Sequence, residues 1–183
     1  PMGILNSVGL QNPGVDAFIA EELPELRKHD LAVIANISGN TPEEYGVMCE
    51  KLSAAGVDMI EVNISCPNVK AGGLAYGTRP ELAAEVTQVA KAHAGSVPVM
   101  VKLSPNVTDI TEIARAVEYA HQYGVRVHAT LNTLLYDGEL AEAERQAREL
   151  IAAGVDALIV QDMALRRMNL PVESVSYTHL RAH

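Results

Sequence analysis

The feature that most constrains the fold of this chain is a repeated alternation of short apolar runs with longer amphipathic stretches. We interpret each run as apolar on both faces, which is typical of strands that are buried on both sides of a parallel sheet. The runs lie at residues 32–37, 58–64, 97–103, 125–131 and 156–160. The sequence therefore predicts five parallel strands with a longer segment after each one.

The amphipathic stretches between the runs carry residues that favour helix ends. Thr41 can cap a helix that has Pro42 in its first turn, and Gly56 follows its last turn. Further helices are predicted at residues 79–94, 107–123 and 139–153, each followed by a glycine. A strand–helix–strand repeat of this kind implies right-handed βαβ crossovers.

Two α/β architectures fit this repeat, a β/α barrel and an open doubly wound sheet. No Gly-x-Gly-x-x-Gly motif follows any of the predicted strands, which weakens the doubly wound, dinucleotide-binding alternative. Polar residues instead follow several strands, and barrel sites gather at the carboxyl ends of strands. A complete (β/α)8 TIM barrel needs roughly 250 residues and eight strands. We therefore expect a partial barrel of about five units with open sheet edges, in a chain that is itself incomplete.

Composition and charge exclude several classes of function. A formal net charge of -9 argues against a nucleic-acid backbone as a partner, because phosphate binding needs clustered Lys and Arg. No apolar run approaches the roughly 18 residues of a membrane span, and no secretion leader is visible. The two cysteines suit a reducing cytoplasm rather than a disulfide framework. His121 and His128 do not have the spacing of a zinc site, so no metal is predicted.

The segment after the second predicted strand is the richest in reactive groups. Asn63, Cys66 and Asn68 combine amide donors and acceptors with a thiol, and Pro67 stiffens the turn. A thiol with a reference pKa of about 8.5 can become a usable base near neutral pH. A tight loop with a buried thiol is the structural alternative. Cys49, by contrast, lies on the apolar stripe of a predicted helix and is expected in the core.

Polar residues also end two other predicted strands. Lys102 closes the run at 97–103, where it either meets an anion or reaches out to the rim of the sheet. Asn36 ends the stretch 33–36 within the first run, and on its own it could simply satisfy backbone groups. An amide- and glycine-rich turn at residues 6–14 precedes the first helix. Together these segments predict one site at the mouth of the barrel.

Three motifs resemble the catalytic subunits of the dihydroorotate dehydrogenase family. They are Asn-Ser-Val-Gly-Leu-Gln-Asn-Pro-Gly at residues 6–14, Asn-Ile-Ser-Cys-Pro-Asn-Val-Lys at 63–70 and Val-Lys-Leu-Ser-Pro-Asn-Val-Thr at 101–108. The resemblance extends from residue 1 to about residue 117. Cys66, where other classes have serine, resembles the soluble class 1 enzymes. The sequence of residues 9–14 is most similar to that of the NAD-linked class 1B subunits.

This resemblance implies a flavoprotein that oxidises dihydroorotate to orotate in pyrimidine biosynthesis. Cys66 would remove the proton from C5 of dihydroorotate, and hydride would pass from C6 to N5 of FMN. Asn36, Asn63 and Lys102 would contact the flavin, with Lys102 near the ring edge that becomes negative on reduction. The substrate would be held by Asn6, Ser7, Val8, Gly9, Leu10, Asn63 and Asn68.

The same resemblance implies a partner subunit and a limit on activity. Class 1B catalytic subunits work with a separate iron–sulfur flavoprotein, and the resemblance leaves the oligomeric state open. The family's early strands, and the late glycine-rich loops that hold the FMN phosphate, would lie outside this sequence. We therefore expect a fragment that binds FMN weakly and turns over little or no dihydroorotate.

After about Val117 the pattern of this family changes. Residues 118–173 are similar to the collagenase-like peptidases, a β/α-barrel family that includes RNA-modifying members. Asn132 and Thr133 resemble the Asn-Thr that binds substrate in the first family, but they come later than its pattern requires. Residues 174–183 resemble translated sequencing-adapter sequence and are expected to be a disordered tail. The sequence thus predicts a chimera of 1–117, 118–173 and 174–183, with a native fusion, a collagenase-like protein or a non-catalytic barrel fragment as alternatives.

Overall fold

The structure, a computed structural model, describes residues 12–65, 79–103, 110–132 and 135–175. Within these ranges, six strands form one parallel sheet in which each strand pairs with the next along the chain. The strands are β1 (Ile34–Ile37), β2 (Met59–Asn63), β3 (Val99–Leu103), β4 (Arg126–Leu131), β5 (Ala157–Val160) and β6 (Glu173–Val175). This sequential order with helical crossovers matches the predicted α/β class, and the sheet is open, as a partial barrel requires.

Helices connect the strands. They are α1 (Val15–Ala17), a π-helical turn (Phe18–Glu22), α2 (Leu23–Leu26), α3 (Pro42–Ala55), α4 (Pro80–His93), α5 (Ile110–Gln122), a 3-10 turn (Asp137–Glu139), α6 (Leu140–Ala152) and α7 (Met163–Arg167). The predicted start of α3 is confirmed, because the Thr41 side chain accepts a hydrogen bond from Glu44 N at 3.3 Å. None of the helices in the described ranges has both the length and the apolar character needed to cross a bilayer.

All five predicted strands are present, but the prediction is one strand short. The missing strand is β6, whose three residues are too few to show an apolar period. It includes Ser174 and Val175, which the sequence pattern assigned to the tail; residues 176–183 lie outside the described ranges. The observed strands also begin one or two residues later than predicted, because the first residues of each run form the turn out of the preceding helix.

The two faces of the sheet differ, which corrects the expectation that both are apolar. Helices α3 to α6 pack on one face, whose side chains alternate along each strand with those of the other face. Residues on the helix-covered face are Ala35, Ile37, Ile60, Val62, Val101, Leu103, Val127, Ala129, Leu158 and Val160. The opposite face carries a cluster of polar side chains, described below, and it is this asymmetry that positions the candidate site.

The sheet is anchored at the amino ends of its strands by a motif that occurs twice, Ala-Gly-Val-Asp at 55–58 and 153–156. Gly56 and Gly154 end helices α3 and α6 with φ of 78° and 91°, a conformation that favours glycine. The aspartate of the motif then makes two hydrogen bonds to one residue at the start of the neighbouring strand: its backbone N donates, and its carboxylate accepts. Asp58 N donates to Val33 O at 3.0 Å while Val33 N donates to Asp58 Oδ2 at 2.8 Å.

The second copy of the motif has the same geometry. Asp156 N donates to Val127 O at 2.9 Å, and Val127 N donates to Asp156 Oδ2 at 2.7 Å. Each carboxylate also meets a basic side chain. Arg27 Nη1 donates to Asp58 Oδ2 at 2.9 Å, and His121 Nε2 lies 2.9 Å from Asp156 Oδ2. Both pairs lie at the end of the sheet away from the candidate site, where barrels keep residues that serve stability.

Candidate active site

Strand register brings polar residues from four strands to one face of the sheet. Asn36 of β1 is paired with Glu61 of β2, and Asn63 of β2 is paired with Lys102 of β3. Lys102 is paired in turn with His128 of β4. Because Glu61 and Asn63 are two residues apart on one strand, their side chains point to the same face. The five side chains therefore form one polar cluster opposite the helices.

Glu61 is the centre of this cluster. Only 3% of the residue is exposed, and its Oε1 accepts a hydrogen bond from Asn36 Nδ2. The ammonium of Lys102 lies 3.4 Å from the same oxygen, with 15% of the lysine side chain exposed. A carboxylate buried to this degree is costly unless a cation and hydrogen-bond donors compensate it. Glu61 thus fixes both the cation of Lys102 and the amide of Asn36.

Asn63 is held from both its backbone and its side chain. The hydroxyl of the fully buried Tyr45, on α3, donates to Asn63 O at 3.2 Å. The Asn63 side chain accepts from Ser65 N at 3.3 Å and from Ser65 Oγ at 3.1 Å through its Oδ1. Its Nδ2 donates to Asn36 Oδ1 at 3.5 Å. These contacts set the direction of the amide and of the chain as it leaves β2.

Two further side-chain atoms, Ser38 Oγ and His128 Nδ1, are buried and have no hydrogen-bond partner among the described residues. Ser38 follows the end of β1, and with Asn36 and Gly39 it lines a cavity of about 740 Å³ beside that strand. Burial lowers the pKa of His128, although the charges of Glu61 and Asp156 act in the opposite direction. In the same ranges, no cluster of His, Cys, Asp and Glu could hold a metal ion.

Comparison with known families decides which proteins this arrangement belongs with. A family model described as dihydroorotate dehydrogenase matches residues 1–175. The chain belongs to the dihydroorotate dehydrogenase family. The match includes all of residues 118–173, the segment that was predicted to resemble a collagenase-like peptidase, and the predicted division at about residue 117 stays a prediction.

Similar members of the dihydroorotate dehydrogenase family are catalytic subunits of dihydroorotate dehydrogenase B (NAD(+)). The subunit of Anoxybacillus flavithermus is 53% identical over 132 residues, which cover 72% of this chain and 42% of that protein. The subunit of Geobacillus kaustophilus is 44% identical over 180 residues, which cover 96% of this chain and 55% of that protein. The chain therefore spans about half the length of the curated relatives it matches.

Solved structures support the fold alone. A type I 3-dehydroquinate dehydratase from Clostridium difficile superposes with a TM-score of 0.52 over 89% of this chain and 67% of that chain, at 16% identity. At this level of identity the likeness concerns the order and packing of β/α units, not the chemistry of the site.

Of the site residues that the family resemblance implies, the structure brings Asn36, Asn63 and Lys102 together. Those outside the described ranges are Asn6, Ser7, Val8, Gly9, Leu10, Cys66 and Asn68. Cys49 is fully buried, as predicted, and burial raises the pKa of its thiol to about 12. Asn132 is exposed at the end of β4.

Sequence reasoning did not include Glu61 and His128 in the site, although each is an ionisable residue with an apolar neighbour on both sides inside a predicted strand. Such a residue is costly to bury unless it is compensated, so its presence in a predicted strand was a usable signal. What the sequence could not supply is the register that places Glu61 beside Asn36 and Lys102.

Proposed function

We propose that this chain is part of the FMN-dependent catalytic subunit of a dihydroorotate dehydrogenase that oxidises dihydroorotate to orotate in pyrimidine biosynthesis. The observation that carries the proposal is the cluster of Asn36, Asn63 and Lys102 on one sheet face, in a chain of this family. Each of the three is a residue that the resemblance to the family assigns to the flavin.

The residues on this face fit a flavin ring. The two amides offer donors and acceptors that match the alternating polar edge of such a ring. Lys102 offers a fixed cation, and the polar atoms of Ser38 and His128 are buried without a partner among the described residues. Buried polar atoms are normally paired in native proteins, so an unpaired group beside a cation points to a bound ligand.

Each residue then has a definable task. Lys102 stabilises the negative charge that develops on reduction, and Glu61 holds the lysine in place beforehand, so the cation needs little reorganisation. Cys66 takes the proton from C5 of dihydroorotate, and a double bond forms between C5 and C6 as hydride leaves C6. When bound, FMN supplies the acceptor for that hydride. The amides of Asn63 and Asn68, with residues 6–10, hold the substrate.

The proposal extends to partners and location. The names of the relatives specify a catalytic subunit that is linked to NAD(+), which supports an additional subunit. In keeping with the family resemblance, we propose that this subunit is an iron–sulfur flavoprotein and the electron partner. We place the protein in the cytoplasm, where a reducing environment suits the free, buried thiol of Cys49.

The proposal can be tested in a hybrid subunit. Residues 1–117 of this chain replace the aligned residues of the Geobacillus kaustophilus subunit, which supplies the remainder of the barrel. We expect the purified hybrid to retain FMN and to form orotate. Lys102→Met should weaken FMN binding, whereas Cys66→Ala should keep FMN and lower kcat by about a hundredfold or more.

A matched control uses Lys28, whose side chain is 65% exposed. Lys28→Met removes the same charge and should change neither FMN binding nor kcat. A folded hybrid without FMN would contradict the proposal, as would a Lys102→Met variant that behaves like Lys28→Met. The chain by itself should bind FMN more weakly than the hybrid, and efficient turnover by the chain alone would contradict the expected fragment behaviour.

A further inference from the structure

His128 continues the polar row formed by Asn63 and Lys102. The three residues are paired in register across β2, β3 and β4, so their side chains stand side by side on one face of the sheet. Neighbouring strands are about 4.8 Å apart, so the row from Asn63 to His128 spans roughly 10 Å. A planar ring system that lies along the row can contact all three side chains.

The imidazole of His128 has an unused hydrogen-bonding group, because its buried Nδ1 has no partner among the described residues. Its polar neighbours are already engaged. The Lys102 ammonium is paired with Glu61, and the Thr130 hydroxyl donates to Leu103 O at 3.2 Å. A buried nitrogen in this position loses its water without gaining a protein partner, which is rare in native structures.

Charge also favours a ligand contact. Burial is the largest influence on the pKa of His128 and lowers it, so the ring is neutral near neutral pH. The charges of Glu61, Asp156 and Glu173 act to raise the pKa of His128, and the charge of Arg126 acts to lower it. A neutral imidazole can stand beside the Lys102 cation without repulsion, and it can serve as either donor or acceptor.

We propose that His128 Nδ1 forms a hydrogen bond to the flavin ring, beside the contacts of Asn63 and Lys102. This inference rests on the proposed function, because it takes a flavin as the occupant of this face. It assigns a flavin contact to His128, a residue that the family resemblance did not place in the site. His128 would contribute to affinity and orientation, while Lys102 supplies the charge.

A buried imidazole that binds nothing would behave differently, and His128→Leu separates the two cases. Without FMN, the variant should be at least as stable as the unmodified chain, because it removes an unsatisfied polar atom. With FMN, loss of one hydrogen bond should raise the Kd roughly fivefold to tenfold. An imidazole without a ligand role predicts the same gain in stability and an unchanged Kd.

The experiment is an FMN titration of the unmodified chain, of His128→Leu and of His29→Leu. Quenching of flavin fluorescence monitors FMN binding. Thermal unfolding without FMN is measured in parallel. His29 is exposed, so its variant should match the unmodified chain in both measurements. A weaker Kd for His128→Leu alone, with no loss in unfolding temperature, supports the inference.

Two failures are distinguishable. If the unmodified chain binds FMN and His128→Leu binds it equally well, the inference is overturned and the proposed function stands. If the unmodified chain binds no FMN, the inference is overturned, and the hybrid subunit alone decides the proposed function. Should His128→Leu fail to fold, ¹⁵N-histidine NMR of the unmodified chain decides the matter. We expect the Nδ1 resonance of His128 to shift on saturation with FMN, and a resonance that stays in place overturns the inference.

Discussion

At the scale of single residues, the buried pair of Glu61 and Lys102 is the most sensitive point of the site. Glu61→Gln keeps the size of the side chain and removes its charge, which leaves a largely buried ammonium without compensation. We expect the free energy of unfolding to fall by about 3 kcal/mol, the usual scale for breaking a buried ion pair. Urea denaturation at pH 7 measures the change.

A double-mutant cycle tests whether this loss belongs to the pair. Adding Lys102→Met to Glu61→Gln removes the uncompensated charge and should recover most of the lost stability. Glu25→Gln is the exposed comparison, because Glu25 and Lys28 are each 65% exposed and such pairs contribute at most about 1 kcal/mol. Strictly additive effects of the two buried substitutions would contradict the coupling.

The two cysteines should differ sharply in reactivity. Burial raises the pKa of Cys49 to about 12, so almost none of it is thiolate at pH 8, and the thiolate is the reactive form. In a Cys66→Ser variant, where Cys49 is the remaining thiol, we expect negligible labelling by a disulfide reagent under native conditions. In denaturant, the Cys49 thiol of the same variant should react with one equivalent of the reagent per chain. Rapid native labelling would show that Cys49 is not in the core.

At the scale of elements, the repeated Ala-Gly-Val-Asp turns link helix ends to strand starts. The pKa of Asp156 lies below its usual range: burial acts to raise it, but the hydrogen bond from Val127 N and the contact with His121 outweigh burial. Since the folded-state pKa is below the unfolded value of about 3.9, the ionised group stabilises the fold above that value. This stability is lost as pH falls through the folded pKa.

Asp156→Asn removes this charge and keeps an oxygen that can accept from Val127 N. We expect the free energy of unfolding at pH 7 to fall by about 1 kcal/mol, and the loss of stability below about pH 4 to become shallower. Asp58→Asn should act in the same direction, because its pKa is lowered by the equivalent hydrogen bond from Val33. Asp137→Asn is the exposed control and should not alter the loss of stability at low pH. If Asp156→Asn also left that loss unchanged, the stabilising role of the Asp156 carboxylate would be refuted.

The strands and helices that could be predicted are those whose burial requires a long apolar period. Helix α3 was predictable at both ends because Thr41 and Gly56 have specific roles in helix capping. Strand β6 was not, since three residues carry no period. In the site, Asn36 and Lys102 end their apolar runs and were predictable there. The grouping around Glu61 depends on pairing between strands that lie far apart in the chain, which no local pattern specifies.

At the scale of the whole molecule, the predicted change of origin near residue 117 falls inside helix α5. The helix continues through it, with Ile113, Val117 and Ala120 all buried against the sheet. Single DNA reads that cross codons 105 to 183 test the prediction. We expect them to depart from this sequence after about codon 117. Independent reads that repeat the sequence through codon 183 would instead establish one continuous gene.

The open sheet also makes a prediction about association. Among the described residues, β1 pairs only with β2 and β6 only with β5, and an unpaired strand edge is a template for another chain. We therefore expect the mass measured by sedimentation to rise with protein concentration.

Ile34→Lys places a charge on β1, where Ile34 is 53% exposed, and should reduce association. Val47→Lys, at a 52% exposed position on α3, is the matched control and should not. An equal reduction by both substitutions would mean that the chains associate through general surface hydrophobicity, and a mass independent of concentration would mean that the edges are covered.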